Sequence, residues 1–175
     1  MAQFMVTAVG SDRPGIVAAV TTPLADLGCN LEDSSSTILR GHFAMMVVVS
    51  GPESLSADAL AEAIRKHAAP LGVTVTVGPV TLAEAGPEAN HLLSVYGADR
   101  PGIVRDIAQF LAERQIDITD LQSRLIGRRT PLYVALVEIA VPAGQDMTAL
   151  QTAVRDLGEH FDVEITLRDI EQDAL

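Results

Sequence analysis

The sequence predicts an α+β fold made of two similar units, each an antiparallel sheet with two helices on one face. An internal repeat predicts the two units. Within each copy, apolar patterns in the order strand, helix, strand, strand, helix, strand predict the sheet and its helices. The length of 175 residues, 48% of them hydrophobic and 20% charged, fits two small globular domains or one large one.

The repeat is centred on a motif that occurs twice. Residues 9–17 read VGSDRPGIV and residues 96–104 read YGADRPGIV, identical at seven of nine positions at an offset of 87 residues. We therefore expect a first unit over residues 1–82, a linker over residues 83–89 and a second unit over residues 90–175. The Ala, Gly and Pro content of the middle segment is typical of a linker.

In copy 1 the first strand ends at Gly10 and a helix begins near Pro14, where Asp12 is placed to accept hydrogen bonds from free N–H groups. Gly28 is expected to end this helix, and Pro23 inside it predicts a kink. Apolar residues recur along the helix at helical spacing: Ile16, Val20, Leu24 and Leu27.

The rest of copy 1 reads as a hairpin that turns at Arg40-Gly41, a helix capped by Ser56 and a closing strand over 73–80. Copy 2 repeats the order. Its expected elements are a strand over 91–96, a helix after Gly102, a hairpin of strands 116–126 and 132–141 that turns over 127–130, a helix capped by Asp146 and ended by Gly158, and a strand over 162–169.

Charge excludes several classes of function. The formal net charge is −11, and Lys66 is the only lysine, which argues against direct binding of nucleic acid or of anionic membranes.

Cys29 is the only cysteine, so no internal disulfide forms, and the four histidines show no spacing typical of a metal site. No secretory signal precedes the first strand, so a cytoplasmic location is expected.

The repeated Asp-Arg-Pro-Gly-Ile segment joins a strand to a helix. Free N–H groups and the positive end of the helix dipole make such a start a seat for a small carboxylate or phosphate. Gly15 and Gly102 let a ligand approach the backbone, and Asp12 and Asp99 either cap the helix or accept a ligand ammonium group. The alternative is that the segment is only a strand-to-helix turn.

The two motifs, followed downstream by Gly-Cys-Asn-Leu (28–31) and Gln-Ile-Asp-Ile (115–118), resemble tandem ACT domains. A chain of two such units resembles the glycine cleavage system transcriptional repressor family. The resemblance implies a ferredoxin-like βαββαβ fold for each unit, no cofactor and no catalytic role. It also implies that a small amino acid binds where the first loop meets the start of the second strand, often at an interface between two units.

Carried onto this chain, the resemblance implies these ligand-binding residues: Asp12, Arg13, Gly15, Ile16, Asn30 and Leu31 in copy 1, and Asp99, Arg100, Gly102, Ile103, Asp117 and Ile118 in copy 2. Asp117 stands where copy 1 has Asn30 and would repel a carboxylate unless Arg100 or Arg124 neutralises it. Copy 1 is therefore expected to be the better anion site.

The resemblance implies a regulator that senses an amino acid, suggested to be glycine, and acts on transcription by contacting a DNA-binding regulatory protein. It also allows a homodimer. One alternative is a structural module that oligomerises without a ligand. The other is an accessory part of an enzyme, which is disfavoured because the sequence ends at Leu175, soon after the second unit, and shows no nucleophile–base pattern.

Overall fold

The computed structural model of the protein describes residues 1–80, 86–127 and 131–170. The chain divides into two compact units, Met1–Glu84 and Ala85–Leu175. Residues 83–85 of the expected linker and residues 128–130 of the expected second hairpin turn lie outside the described residues.

Unit 1 forms a four-stranded antiparallel sheet in the order β2-β3-β1-β4. Its elements are β1 (Ala2–Ser11), α1 (Ile16–Asp26), β2 (Asn30–Leu39), β3 (His42–Gly51), α2 (Ala57–Ala68), a single 3-10 turn (Ala69–Leu71) and β4 (Val73–Pro79). The predicted βαββαβ order is confirmed.

Unit 2 repeats this sheet in the order β6-β7-β5-β8. Its elements are β5 (His91–Ala98), α3 (Ile103–Ala112), β6 (Asp117–Ile126), β7 (Leu132–Ala140), α4 (Met147–Phe161) and β8 (Val163–Asp169). The strands pair antiparallel throughout. The fold class is therefore two ferredoxin-like βαββαβ units.

Each unit has its own hydrophobic core between the sheet and its helices. Along β1 the buried residues alternate, with Phe4, Val6 and Ala8 under 5% exposed, because side chains of a strand point to opposite faces in turn. On the helix side of this core, α2 contributes Leu60 and Ile64, which are four residues apart on one helix face and fully buried.

Local signals place the first hairpin and two helix starts where the sequence predicts them. Arg40 and Gly41 have φ angles of 49° and 80°, as a two-residue turn with both central residues left-handed requires. Ser56 and Asp146 each accept a hydrogen bond from the backbone N–H three residues later, at 3.2 and 3.0 Å. These caps are confirmed.

The predicted capping of α1 by Asp12 is wrong. The helix begins at Ile16, two residues after Pro14, and its N-cap is Gly15, with no side-chain hydrogen bond at the cap. The same holds for α3, where Gly102 is the N-cap and Asp99 makes no capping bond. The aspartates stand three residues before these N-caps and are not the capping residues.

The predicted end of α4 at Gly158 is also wrong. The helix continues to Phe161 and ends at Asp162, whose left-handed conformation has a φ of 54°. Gly158 is buried against β8, and a Cβ there would stand 2.7 Å from the carbonyl oxygen of Val163. The glycine therefore serves close helix–sheet packing and not helix termination.

The first strand of each hairpin, β2 or β6, forms one edge of its sheet and is exposed along its whole length. Each of these strands has a β-bulge near its start. The register shifts between Leu31 and Asp33 in β2 and between Ile118 and Asp120 in β6, so Glu32 and Thr119 are the extra residues. These positions are 87 residues apart, so the repeat extends to backbone irregularities.

Candidate functional site

The loop after the first strand has the same backbone geometry in both units. Gly15 has φ 97° and ψ −8°, and Gly102 has φ 102° and ψ −12°. A residue with a Cβ rarely adopts such angles, so the motif requires glycine at this point. Its backbone conformation turns the chain directly into the helix, and both loops lie at the surface.

Each loop presents unpaired backbone donors. The first intrahelical bonds run from the N–H of Ala19 to the oxygen of Gly15 and from the N–H of Asp106 to the oxygen of Gly102, both at 2.9 Å. The N–H groups of the first three residues of each helix therefore have no intrahelical partner. In unit 1 the loop is also anchored to the hairpin, because the N–H of Asp12 donates to the oxygen of Gly41 at 2.8 Å.

Unit 2 adds a cation that the sequence analysis missed. Arg105, in the first turn of α3, places a guanidinium nitrogen 3.1 Å from the position a Cβ on Gly102 would take. Unit 1 has Ala18 at the matching position. The sequence signal for this cation is the residue that directly follows each motif, which is Arg105 in copy 2 and Ala18 in copy 1.

Arg105 is held by the residue beside it. Its Nε donates a hydrogen bond to Asp106, which raises the pKa of the guanidinium and lowers the pKa of the Asp106 carboxyl. One terminal nitrogen of the guanidinium, Nη2, lies beside Gly102. The loop of unit 2 therefore combines helix N–H groups with a guanidinium that is already paired with the Asp106 carboxylate.

Arg100 does not neutralise Asp117. Its guanidinium donates to the carboxylate of Asp162 at 2.9 Å, which joins the loop to the end of α4. Arg13, the matching residue of unit 1, is exposed. Asp117 forms no ion pair with any residue in the described part of the chain.

The predicted site residues fall into two groups that lie at opposite ends of each sheet. We call residues 12–16 and 99–103 the loop halves, and residues 30–31 and 117–118 the strand halves. In unit 1, the loop half follows Ser11, the last residue of β1. Asn30 lies at the opposite end of β1, because it pairs with Ser50 of β3, and Ser50 pairs in turn with Gln3. From Gln3 to Ser11 the strand advances eight residues, roughly 26 Å at about 3.3 Å per residue.

Unit 2 has the same separation. Ile118 pairs with Ile139, whose other partner is His91, while the loop half follows Ala98 at the far end of β5. The expectation that the first loop meets the start of the second strand does not hold within a unit. One amino acid cannot contact both halves of the same unit.

The strand half of unit 1 contains a polar cluster that the sequence analysis also missed. Glu32, the bulged residue, accepts hydrogen bonds from the Ser50 hydroxyl and from the Asn30 amide, the latter at 3.2 Å. The Ser50 bond, and then the Asn30 bond, lower the pKa of the Glu32 carboxyl. Unit 2 has Thr119 at this position, so its strand half lacks the cluster.

The described residues were compared with the requirements of a metal site and of a membrane-spanning helix. Over residues 1–80, 86–127 and 131–170, no three His, Cys, Asp or Glu side chains come together in a way that would hold a metal ion. Within the same ranges, no helix has the length and apolar character needed to cross a membrane.

Comparison with known proteins identifies both units. The ACT domain family matches residues 2–78, and again residues 91–155. A UPF0237 protein of Methanopyrus kandleri is 44% identical over 78 residues, which are 44% of this chain and 87% of that protein. That relative therefore corresponds to one unit.

Two other similarities span both units. The glycine cleavage system transcriptional repressor of Escherichia coli is 30% identical over 159 residues, which are 87% of this chain and 82% of that protein. A crystal structure of an unknown protein from Galdieria sulphuraria, 25% identical, covers 97% of this chain and 98% of its own with a TM-score of 0.80. The chain is thus a tandem pair of ACT domains and belongs to the ACT-domain family, in the group that includes the Escherichia coli glycine cleavage system transcriptional repressor.

Proposed function

We propose that this protein is a regulator that senses a small amino acid, with glycine as the first candidate. The observation that carries the proposal is the duplicated glycine loop, which presents free helix N–H groups at the same backbone angles in both units. Membership of a family of regulatory domains supports it, and the relationship to a glycine cleavage system repressor suggests the ligand.

The loop halves are suited to the ligand carboxylate. N–H groups at a helix start and the helix dipole both favour an anion, and a guanidinium adds charge-assisted hydrogen bonds. Because the Arg105 guanidinium lies at the loop of unit 2, although paired with Asp106, we infer that this loop is the stronger anion site. We propose this in place of the expectation that copy 1 is better, because Asp117 lies at the other end of its sheet from the loop.

The strand halves are suited to the ligand ammonium group. They carry the Asn30 amide and the Asp117 carboxylate, both exposed. Since the two halves of a unit are roughly 26 Å apart at about 3.3 Å per residue, we infer that groups from outside the unit complete each half. A second copy of the chain is one source of such groups, which makes ligand binding and self-association linked properties.

Regulation through protein contact follows from the charge. A formal net charge of −11 with a single lysine opposes direct contact with DNA phosphates. We therefore propose that the protein acts on transcription by binding a DNA-binding regulatory protein in a manner that depends on the amino acid. Genes of amino-acid metabolism, glycine cleavage first among them, are the proposed targets.

The test is a thermal shift of the full chain against each of the twenty amino acids, followed by calorimetric titration of those that respond. A ligand at 100 times its Kd adds about 2.7 kcal/mol of apparent stability, a shift of several degrees. The informative variant is Arg105→Gln, which should weaken binding about tenfold or more, because a charged hydrogen bond contributes about 1.5–3 kcal/mol.

Arg155→Gln is the matched control. Arg155 is as exposed as Arg105, with 67% against 68% of its side chain accessible, and also contacts the aspartate that follows it. Unchanged binding in Arg155→Gln with weakened binding in Arg105→Gln supports the proposal. A flat response to all twenty amino acids would refute amino-acid sensing and leave a module that works by protein contact alone.

A further inference from the structure

The sheet of unit 1 has a second face that no helix of the unit covers. Along β1 every second residue from Phe4 to Ala8 is buried under the helices, so Met5, Thr7 and Val9 point to the opposite side. We call this surface the open face of unit 1. It is defined by these three residues of β1 and by the residues that lie level with them on β2, β3 and β4, in three rows of four.

The open face of unit 1 carries almost no charge. Its apolar positions are Met5, Val9, Ala44, Met46 and Val48, and its hydroxyl positions are Thr7, Ser35, Thr37, Thr74 and Thr76. Gly78 and the carboxylate of Asp33 complete the rows. Met46, in the middle row, is 52% exposed. A continuous apolar surface of this kind is typical of a site where another protein binds.

The corresponding face of unit 2 is different. At the matching positions it carries five charged side chains, which are Asp120, Arg124, Glu138, Glu164 and Arg168. Packing the open face of unit 1 against this surface would take those charges out of water, which is costly unless each has a partner. Contact between two open faces of unit 1 has no such cost, so the composition favours pairing of like with like.

This side of the sheet is large enough for a specific interface. Three of its strands have 10 residues each, which gives a length of roughly 33 Å at about 3.3 Å per residue. Four strands spaced by about 4.8 Å are roughly 19 Å wide. Two such surfaces in contact would cover on the order of 1,200 Å² in total, at the lower end of the range for stable protein interfaces.

An open pocket in this face provides room for a side chain of the partner. The pocket has a volume of about 170 Å³, lies beside Met46 and is also lined by Met5, Val48 and Asp33. A cavity of about 150 Å³ holds one benzene-sized group, so one side chain fits here. Methionine is flexible and fills irregular gaps well. Asp33 lies on the edge strand β2, where its carboxylate stays in contact with water at the rim.

We propose that the protein forms a two-fold symmetric dimer in which the open faces of unit 1 from two copies pack against each other, with Met46 of each copy at the centre. A two-fold interface uses the same surface on both partners, so that surface must suit itself, as one that is nearly free of charge does. Two sheets packed in this way lie about 10 Å apart, and their side chains interdigitate. This inference does not depend on amino-acid binding.

The experiment measures the mass of the full chain by analytical ultracentrifugation over a wide range of protein concentration. The wild type should pass from monomer to dimer as the concentration rises. Met46→Glu should weaken the dimer about tenfold or more, because a carboxylate at the centre of the interface would be buried without a cationic partner. Since Met46 is exposed within its own unit, the variant should keep its fold, which circular dichroism and the melting temperature check.

Leu136→Glu is the matched control. Leu136 occupies the same place in the sheet of unit 2, because it pairs with Ser94 as Met46 pairs with Thr7, and it is 39% exposed. The substitution adds the same charge to the other face and should leave the dimer unchanged.

A second measurement uses no substitution. The methyl resonances of Met5 and Met46 should move in NMR spectra as the wild type is concentrated, because both side chains enter the interface. Met147, which lies on α4 of unit 2, serves as the internal reference and should not move.

The outcomes decide the proposal. A dimer that is lost in Met46→Glu and kept in Leu136→Glu, with movement of the Met5 and Met46 methyl resonances, supports it. A wild type that stays monomeric at every concentration overturns it, and so does a dimer that survives in Met46→Glu. Loss of the dimer in both variants also overturns it, because the face of unit 2 then takes part. Amino-acid binding is measured separately, so the failure of either proposal leaves the other standing.

Discussion

Replacing Gly158 by alanine sets a favourable local effect against an unfavourable packing effect. In the middle of a helix, alanine is more stable than glycine by about 1 kcal/mol. Against this, the new Cβ would stand 2.7 Å from the Val163 carbonyl oxygen and 3.2–3.3 Å from two atoms of Ile165. Because the nearest atom belongs to the backbone of β8, it cannot rotate away, and α4 must move from the sheet.

Overpacking of this kind costs about 1–3 kcal/mol, with the upper end expected for a backbone contact. Subtracting the gain in helix propensity leaves a net loss of about 2 kcal/mol in the free energy of unfolding of unit 2. In urea, with a slope of about 1–2 kcal/mol per molar, the midpoint should fall by roughly 1–2 M.

Tyrosine fluorescence measures this loss in unit 2 alone, because the only two tyrosines, Tyr96 and Tyr133, lie there and the chain has no tryptophan. Glu159→Ala, one residue further along the exposed side of the same helix, should change the free energy of unfolding by no more than about 0.5 kcal/mol. A midpoint that is unchanged or higher in Gly158→Ala would refute the packing argument.

Three further predictions concern packing and charge. Gly97→Ala should lower the free energy of unfolding of unit 2 by about 1–3 kcal/mol, because its Cβ would lie 2.5 Å from a valine side chain on β8, whereas Gly78→Ala, with open space around it, should be neutral or stabilising in the same urea assay. Tyr133→Phe should stabilise unit 2 by about 1 kcal/mol or more in thermal unfolding followed by circular dichroism, since the buried Tyr133 hydroxyl has no hydrogen-bond partner among the described residues. Ser50→Ala should raise the pKa of Glu32 toward its ordinary value in a carboxyl NMR titration. Because the folded-state pKa is lowered, the stability this carboxylate contributes is present above its unfolded pKa and is lost as pH falls through the folded value.

The parts of the fold that the sequence predicts are those decided within a few residues. Arg40-Gly41 specifies its own turn, and Ser56 caps a helix by accepting from a backbone N–H only three residues away, so neither depends on the rest of the sheet. The repeat then extends each local assignment to the second unit. Gly158 fails as a prediction because the reason for the glycine is a strand that approaches it from outside the helix.

The candidate site was less predictable because its arrangement depends on strand order. Asn30 follows the motif closely in sequence, yet the order β2-β3-β1-β4 places it at the far end of the sheet from Gly15. Arg105 and Glu32 were missed for a different reason. Their roles come from contacts with Gly102 and Ser50, which the periodicity of apolar residues does not report.

The bulges at Glu32 and Thr119 also bear on how the chain behaves when concentrated. Both lie on long outer strands whose unpaired N–H and carbonyl groups face solvent, and straight strands of this kind template aggregation. An extra residue bends and twists the strand, so it pairs less well with an edge strand of another molecule. Deleting either residue should straighten the edge, and light scattering at high protein concentration should then rise sooner than for the wild type.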